Sequence, residues 1–136
     1  MGEVYVRVRL SNATDVEMVR RGVMQPDQVR TCEVDGLVDT GATRSVIPAE
    51  IAQQLGLSIH DRTVVRLADL SKVQVGATSA IRFEIYGRAT IEDAYVLGDE
   101  VLIGQTVLES TDLLVDCTNR KVIPNPAHPD GPVFRV

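Results

Sequence analysis

Val34–Leu57 reads VDGLVDTGATRSVIPAEIAQQLGL, and its first half sets the character of the chain. Leu37 and Val38 are apolar β-formers leading into an acid, a hydroxyl residue and a glycine, Asp39-Thr40-Gly41. A strand leaving the core at that point delivers a carboxylate to the start of a tight turn. Gly41 lets the backbone pass close beneath the carboxylate, and the Thr40 hydroxyl can bond main chain to fix the loop. Beyond the loop, Pro48 opens a pattern with Ile51, Ala52 and Leu55 on one side and Gly56 just past its end, which predicts a helix over Pro48–Leu55.

Working outward, Val4, Val6, Val8 and Leu10 alternate with Tyr5, Arg7 and Arg9, the pattern of a half-buried strand. Asn12 to Gly22 breaks it and predicts one or two helical turns, capped by Thr14 and stopped by Gly22. Strand character returns at Val29–Val38, with Asp35-Gly36 as a turn signal inside it. It recurs at Arg62–Leu67, Lys72–Val75, Ile81–Tyr86, Ala89–Leu97, Leu113–Val115 and Val122–Ile123. A short helix, Thr106–Ser110, follows Val101-Leu102-Ile103-Gly104, again an apolar strand ending in glycine. The Pro-rich segment from about 124 to 136 reads as an extended tail ending in a strand, Val133–Val136. Many short strands joined by turns predict an all-β barrel or sandwich.

With 136 residues, 44% hydrophobic and 24% charged, the chain fits one globular domain over 1–136. Its net charge is −5, and its 14 basic residues form no cluster in sequence, which argues against nucleic acid as a partner. No apolar run approaches the ~18 residues that cross a bilayer, and no signal pattern opens the chain, so the expected setting is the cytoplasm with no membrane partner. Cys32 and Cys117 lack any paired spacing and read as buried thiols. His60 and His128 have no third ligand at metal spacing, so neither a metal nor another cofactor is expected, and His128 reads as solvated in the tail. Asn12-Ala13-Thr14 fits a glycosylation acceptor pattern but is expected to stay unmodified, and Ser45 and Ser110 have no histidine in a serine-hydrolase pattern.

A lone carboxylate has limited power. Two within hydrogen-bond range cannot both ionise, so the pair shares one proton and holds an acid and a base together. Such a pair can hydrolyse an amide: one member takes a proton from water while the other donates to the carbonyl oxygen. The other candidate acids lie in Asp69-Leu70-Ser71, Asp116-Cys117-Thr118 and Asp130-Gly131-Pro132. None repeats the acid-hydroxyl-glycine order after an apolar strand, so the partner carboxylate has to come from another copy.

Asp39-Thr40-Gly41-Ala42 after Leu37-Val38, then Val46-Ile47-Pro48, then Leu102-Ile103-Gly104, resembles the retropepsin-like aspartic proteases, in particular their small single-domain prokaryotic members. The resemblance implies a closed β-barrel with one or two short helices, a flap hairpin over the cleft, and a homodimer acting on peptide or protein substrates. It implies that Asp39 is the catalytic acid/base, that the Thr40 hydroxyl crosses the dimer axis to brace the two loops, and that substrate main chain passes Gly41. Leu102-Ile103-Gly104 matches the unit that packs beneath the catalytic loop, and the flap falls at Ala68–Lys72. Substrate contacts are expected from Ala42, Thr43, Arg44, Ala68, Asp69, Leu70 and Ile103.

Three positions depart from the family pattern. The flap turn carries Asp69-Leu70-Ser71 where relatives often have glycine. Thr43 and Gln105 stand where retroviral enzymes have an internal ion pair, which predicts a neutral contact between these two side chains. Arg44 would favour an acidic substrate residue. Two rival readings stay open at this point: a catalytically silent peptide-binding or dimerisation module of the same fold, and an unrelated β-barrel.

Overall fold

The computed structural model describes residues 2–136. In chain order its elements are β1 (Tyr5–Asn12), α1 (Ala13–Arg20), β2 (Thr31–Val38), β3 (Val46–Ile47), α2 (Ala49–Gln54), β4 (Ile59–Arg66) and β5 (Lys72–Thr78). They are followed by β6 (Ile81–Ile85), β7 (Arg88–Glu92), β8 (Tyr95–Val96), β9 (Leu102–Ile103), α3 (Gln105–Ser110), β10 (Leu113–Asp116) and β11 (Lys121–Pro124).

Alternation along β1 turns Val6, Val8 and Leu10 inward. β1 pairs antiparallel with β2 on one side (Val8↔Val34) and with β6 on the other (Leu10↔Phe83). Nine strands join in the order β4-β5-β8-β3-β9-β2-β1-β6-β7, and β10 and β11 form a separate pair. The two ends of the larger sheet are not hydrogen-bonded to each other. The expected barrel is therefore a curled half-barrel, wrapped around Val8, Leu10, Ile47, Leu55, Ile81, Phe83, Ile103 and Val107. β10–β11 adds Leu113 and Val122 to the same core.

Asn12, not Thr14, caps α1: its Oδ1 accepts from the Asp15 amide at 3.0 Å, while its Nδ2 donates to the Leu55 carbonyl at 2.9 Å. That burial takes the glycosylation pattern out of reach. One turn later Asp15 is buried and receives a two-pronged contact from Arg30, Nε and Nη2 each at 2.9 Å, which fastens α1 to the chain entering β2. Arg30 holds the Asp15 carboxyl below the usual carboxylate range.

Other local expectations change. β2 runs straight through Asp35-Gly36, because Gly36 is where the Ile103 side chain presses: a Cβ there would lie 2.7 Å from Ile103 Cγ1. The single strand expected over Ala89–Leu97 breaks at Asp93-Ala94 into β7 and β8. Val133–Val136 forms no strand, and Val133 and Phe134 are exposed. His128 is not free in the tail. Its Nδ1 meets Asp112 Oδ2 at 2.5 Å, and its carbonyl accepts from Nη2 of the buried Arg88, so the Pro-rich segment is fastened to the body. Cys117 is exposed; Cys32 is half-buried, and burial pushes its thiol up.

Candidate active site

Two short β-ladders place Asp39. β2 runs parallel to β9 (Leu37↔Leu102, Val38↔Ile103), and the Asp39 amide extends the ladder by donating to the Ile103 carbonyl at 2.9 Å. The chain then turns: Ala42 N–H donates to the Asp39 carbonyl at 3.1 Å, and Gly41 N–H donates to Asp39 Oδ1 at 3.1 Å. It re-enters the sheet as β3 on the other side of β9, with Val46 opposite Leu102. The 39–45 loop therefore straddles the end of β9.

The first turn of α3 supports the loop from below. Gln105 N–H donates to the Ala42 carbonyl at 2.8 Å and Thr106 N–H to the Thr43 carbonyl at 3.1 Å, so the open amides of the helix start are used to hold the loop. Gly104 N–H donates to the buried Ser45 Oγ at 2.9 Å. A Cβ on Gly104 would lie 2.5 Å from the Arg44 carbonyl carbon, so only glycine allows the two backbones to cross here. Fixed in this way, the loop leaves Asp39 half-buried and Thr40 and Gly41 exposed. Sequence reasoning missed Ser45, which acts as a clamp between loop and helix. Its position directly before Val46-Ile47, in a loop that must meet the Leu102-Ile103-Gly104 unit, was the available signal.

Among the described residues the Thr40 hydroxyl makes no hydrogen bond, so it does not fix its own loop, and it remains exposed. The expected contact between the Thr43 and Gln105 side chains is absent: Gln105 Nε2 donates instead to Glu109 Oε1 at 3.0 Å, and the two segments meet through main chain. Arg44 is ion-paired with Asp93, which lies between β7 and β8. Any acidic substrate group would have to compete with that carboxylate. Ile103 has no exposed surface, so the expectation that it touches substrate gives way to a positioning role through its carbonyl. Strand alternation gives its neighbour Leu102 the half-exposed place.

At the tip of β4–β5, Leu70 N–H donates to the Leu67 carbonyl at 2.9 Å and Leu67 N–H to the Ser71 carbonyl at 2.8 Å. Asp69 Oδ1 accepts from the Ser71 hydroxyl at 2.5 Å and from its amide at 2.9 Å, and these bonds hold the Asp69 carboxyl below its usual range. The turn thus closes without glycine, with Leu70 in the left-handed region (φ 70) and 74% exposed. Ala68 is exposed beside it. Among the described residues no group of His, Cys, Asp or Glu could hold a metal ion, and no helix is long and apolar enough to cross a membrane.

The carboxylate-bearing loop straddling β9 lies within the span that matches a known family. The family described as "gag-polyprotein putative aspartyl protease" matches residues 26–110, a span from just before β2 to the end of α3. The chain belongs to this family. Among solved structures, the retroviral protease-like domain of Ddi1 from Leishmania major is similar at 15% identity and a TM-score of 0.58, over 93% of this chain and 90% of that one. EIAV protease complexed with the inhibitor HBY-793 is similar at 20% identity and a TM-score of 0.47, over 57% of this chain and 75% of that one. No curated protein sequence matches. The fold is the retropepsin-like aspartic protease fold. The matched span holds the 39–45 loop, the β4–β5 hairpin and α3, and leaves β10, β11 and the fastened tail outside it.

Proposed function

We propose that the chain is a single-domain aspartic endopeptidase that works as a homodimer in the cytoplasm, without metal or other cofactor. Each subunit contributes one Asp39, and the two carboxylates share a proton across the two-fold axis. The ionised member takes a proton from the water between them, that water attacks the peptide carbonyl, and the protonated member donates to the carbonyl oxygen. The carboxyl that took the water's proton then passes it to the departing nitrogen as the C–N bond breaks, and the other carboxylate recovers its proton from the intermediate's hydroxyl as the C=O bond re-forms. Thr40 braces the paired loops, and Gly41 gives substrate main chain its passage. Ala42, Thr43, Arg44, Ala68, Asp69 and Leu70 form the walls.

The observation that carries this reading is the loop itself. An acid held by the Ile103 carbonyl and by two turn hydrogen bonds sits at the rim of the core, with one such carboxylate per chain. Because the pair must keep one proton, hydrolysis is expected to be fastest at mildly acidic pH. Asp39→Asn should reduce cleavage of a denatured protein to background while leaving sedimentation unchanged, and cleavage surviving in the pure variant would end the proposal. Wild-type activity per mole should fall on dilution as dimers separate. A silent binding module would instead bind peptides and cleave none at any concentration.

A further inference from the structure

The β4–β5 hairpin has two unlike faces. Register pairs Thr63 with Val75 and Val65 with Val73 on one face, all of them half-buried or buried. The other face carries Arg62 opposite Gly76, Val64 opposite Gln74 and Arg66 opposite Lys72, and its side chains are exposed apart from the bare Gly76. Seven arginines elsewhere, Arg7, Arg9, Arg20, Arg21, Arg30, Arg44 and Arg82, make ion pairs, and the buried Arg88 donates to backbone carbonyls. None of the ion pairs among the described residues involves Arg62, Arg66 or Lys72. Arg66 and Lys72 even stand directly across from each other, an arrangement that costs stability, in a chain whose net charge is −5. Of the hairpin's own acids, Asp69 is engaged by Ser71, and Asp61 lies in the irregularity between Ile59 and Arg62.

Val64 is 60% exposed among these cations and, with Val65, Arg66 and Lys72, lines an open concavity of about 480 Å³. Toward the base of the hairpin the same face turns apolar. Ile59 lies across the bare Gly76, where a Cβ would meet its Cγ2 at 2.4 Å, and Val96 stands opposite Gly76. Both line a second concavity of about 310 Å³ with Ala52 and Leu57.

We infer that this face is a docking surface for an acidic polypeptide segment carrying apolar side chains. The unpaired cations near the tip meet its carboxylates, and the apolar concavities take its leucine-sized groups. Charge complementarity selects this occupant: an anionic segment relieves the Arg66–Lys72 repulsion and supplies counter-charges to three exposed cations that cluster on one face of the hairpin. The surface lies outside the Asp39 loop, so the inference stands whether or not the chain hydrolyses peptides.

The test uses the full-length Asp39→Asn protein, which leaves the probe intact, and a fluorescein-labelled peptide of repeating Glu-Glu-Leu followed by anisotropy. Saturable binding is expected, weakening about tenfold between low and moderate salt as surface charges are screened. Replacing Arg62, Arg66 and Lys72 together by Gln should weaken it by about tenfold, and Val64→Asp by a similar factor. The bound peptide should slow amide exchange in Arg62–Arg66 and Lys72–Gln74 of the unsubstituted hairpin, a readout that needs no variant. Three results would overturn the inference: no saturable binding, equal binding by the triple variant, or tighter binding of oligodeoxythymidylate or phosphatidylserine vesicles than of the peptide. So would a triple variant that sediments as a smaller species, since the face would then join copies of this chain.

Discussion

The hairpins β6–β7 and β4–β5 occupy opposite ends of one nine-stranded sheet and are built in opposite ways. In β6, Ile81, Phe83 and Ile85 point into the core with almost no exposed surface, and the strand is paired on both edges, with β1 and β7. Its connection is the two-residue turn Tyr86-Gly87, with φ of 53 and 73, the primed turn whose twist matches that of the flanking strands. β4 has no buried residue, and its turn is closed by the Asp69 carboxylate and a strained Leu70. One end carries the stability of the fold. At the other, β4 buries nothing and β5 buries only residues toward its base, Val75, Gly76 and Thr78, so opening is expected to be easiest at the hairpin tip.

The largest expected effect tests the strong end. Phe83→Ala removes a fully buried ring beside Leu10 and should cost about 3–5 kcal/mol in denaturant unfolding. A loss under about 1 kcal/mol would show that the core is not centred on β1 and β6. Next is Asp15, whose helix joins this end where the Ala13 amide donates to the Ala80 carbonyl. Asp15→Asn breaks a buried carboxylate's two-pronged contact and should cost about 2–3 kcal/mol at neutral pH. Because Arg30 lowers the Asp15 pKa in the folded state, this contribution is fully present above the ordinary carboxylate range and is lost as pH falls below about 4. Melting curves of wild type and variant should therefore converge in acid, below the mildly acidic range proposed for activity.

The same contrast decides what the sequence could reveal. β1, β6 and α2 were legible because each buries one periodic face against a single core, and periodicity is visible in a lone chain. The Asp39 loop was legible because acid, hydroxyl and glycine follow one another directly. Where two distant segments touch, sequence was silent or misleading. Asp35-Gly36 looks like a turn, yet Gly36 exists to admit Ile103 from a strand about sixty-five residues away. Ser45 looks like an idle hydroxyl until Gly104 is placed against it. Arg44 reads as a free charge and His128 as a solvated side chain, yet each is held by a carboxylate elsewhere in the chain, Asp93 and Asp112.

Smaller effects should come from the two turns, and they should differ in size. Gly87 has φ 73 with nothing within 4 Å of a would-be Cβ, so Gly87→Ala tests backbone strain alone and should cost about 1 kcal/mol. Leu70 occupies almost the same backbone region, φ 70, but with a side chain that is mostly exposed. Leu70→Gly relieves that strain while giving the unfolded chain more freedom to lose, so it should change global stability by less than about 0.5 kcal/mol in either direction. Its effect belongs to the turn: amide exchange at Asp69–Ser71 should accelerate while that of Ile81–Ile85 stays unchanged. If β6 amides accelerated as well, the two hairpins would be opening together, and the division between a stable end and a mobile end would fail.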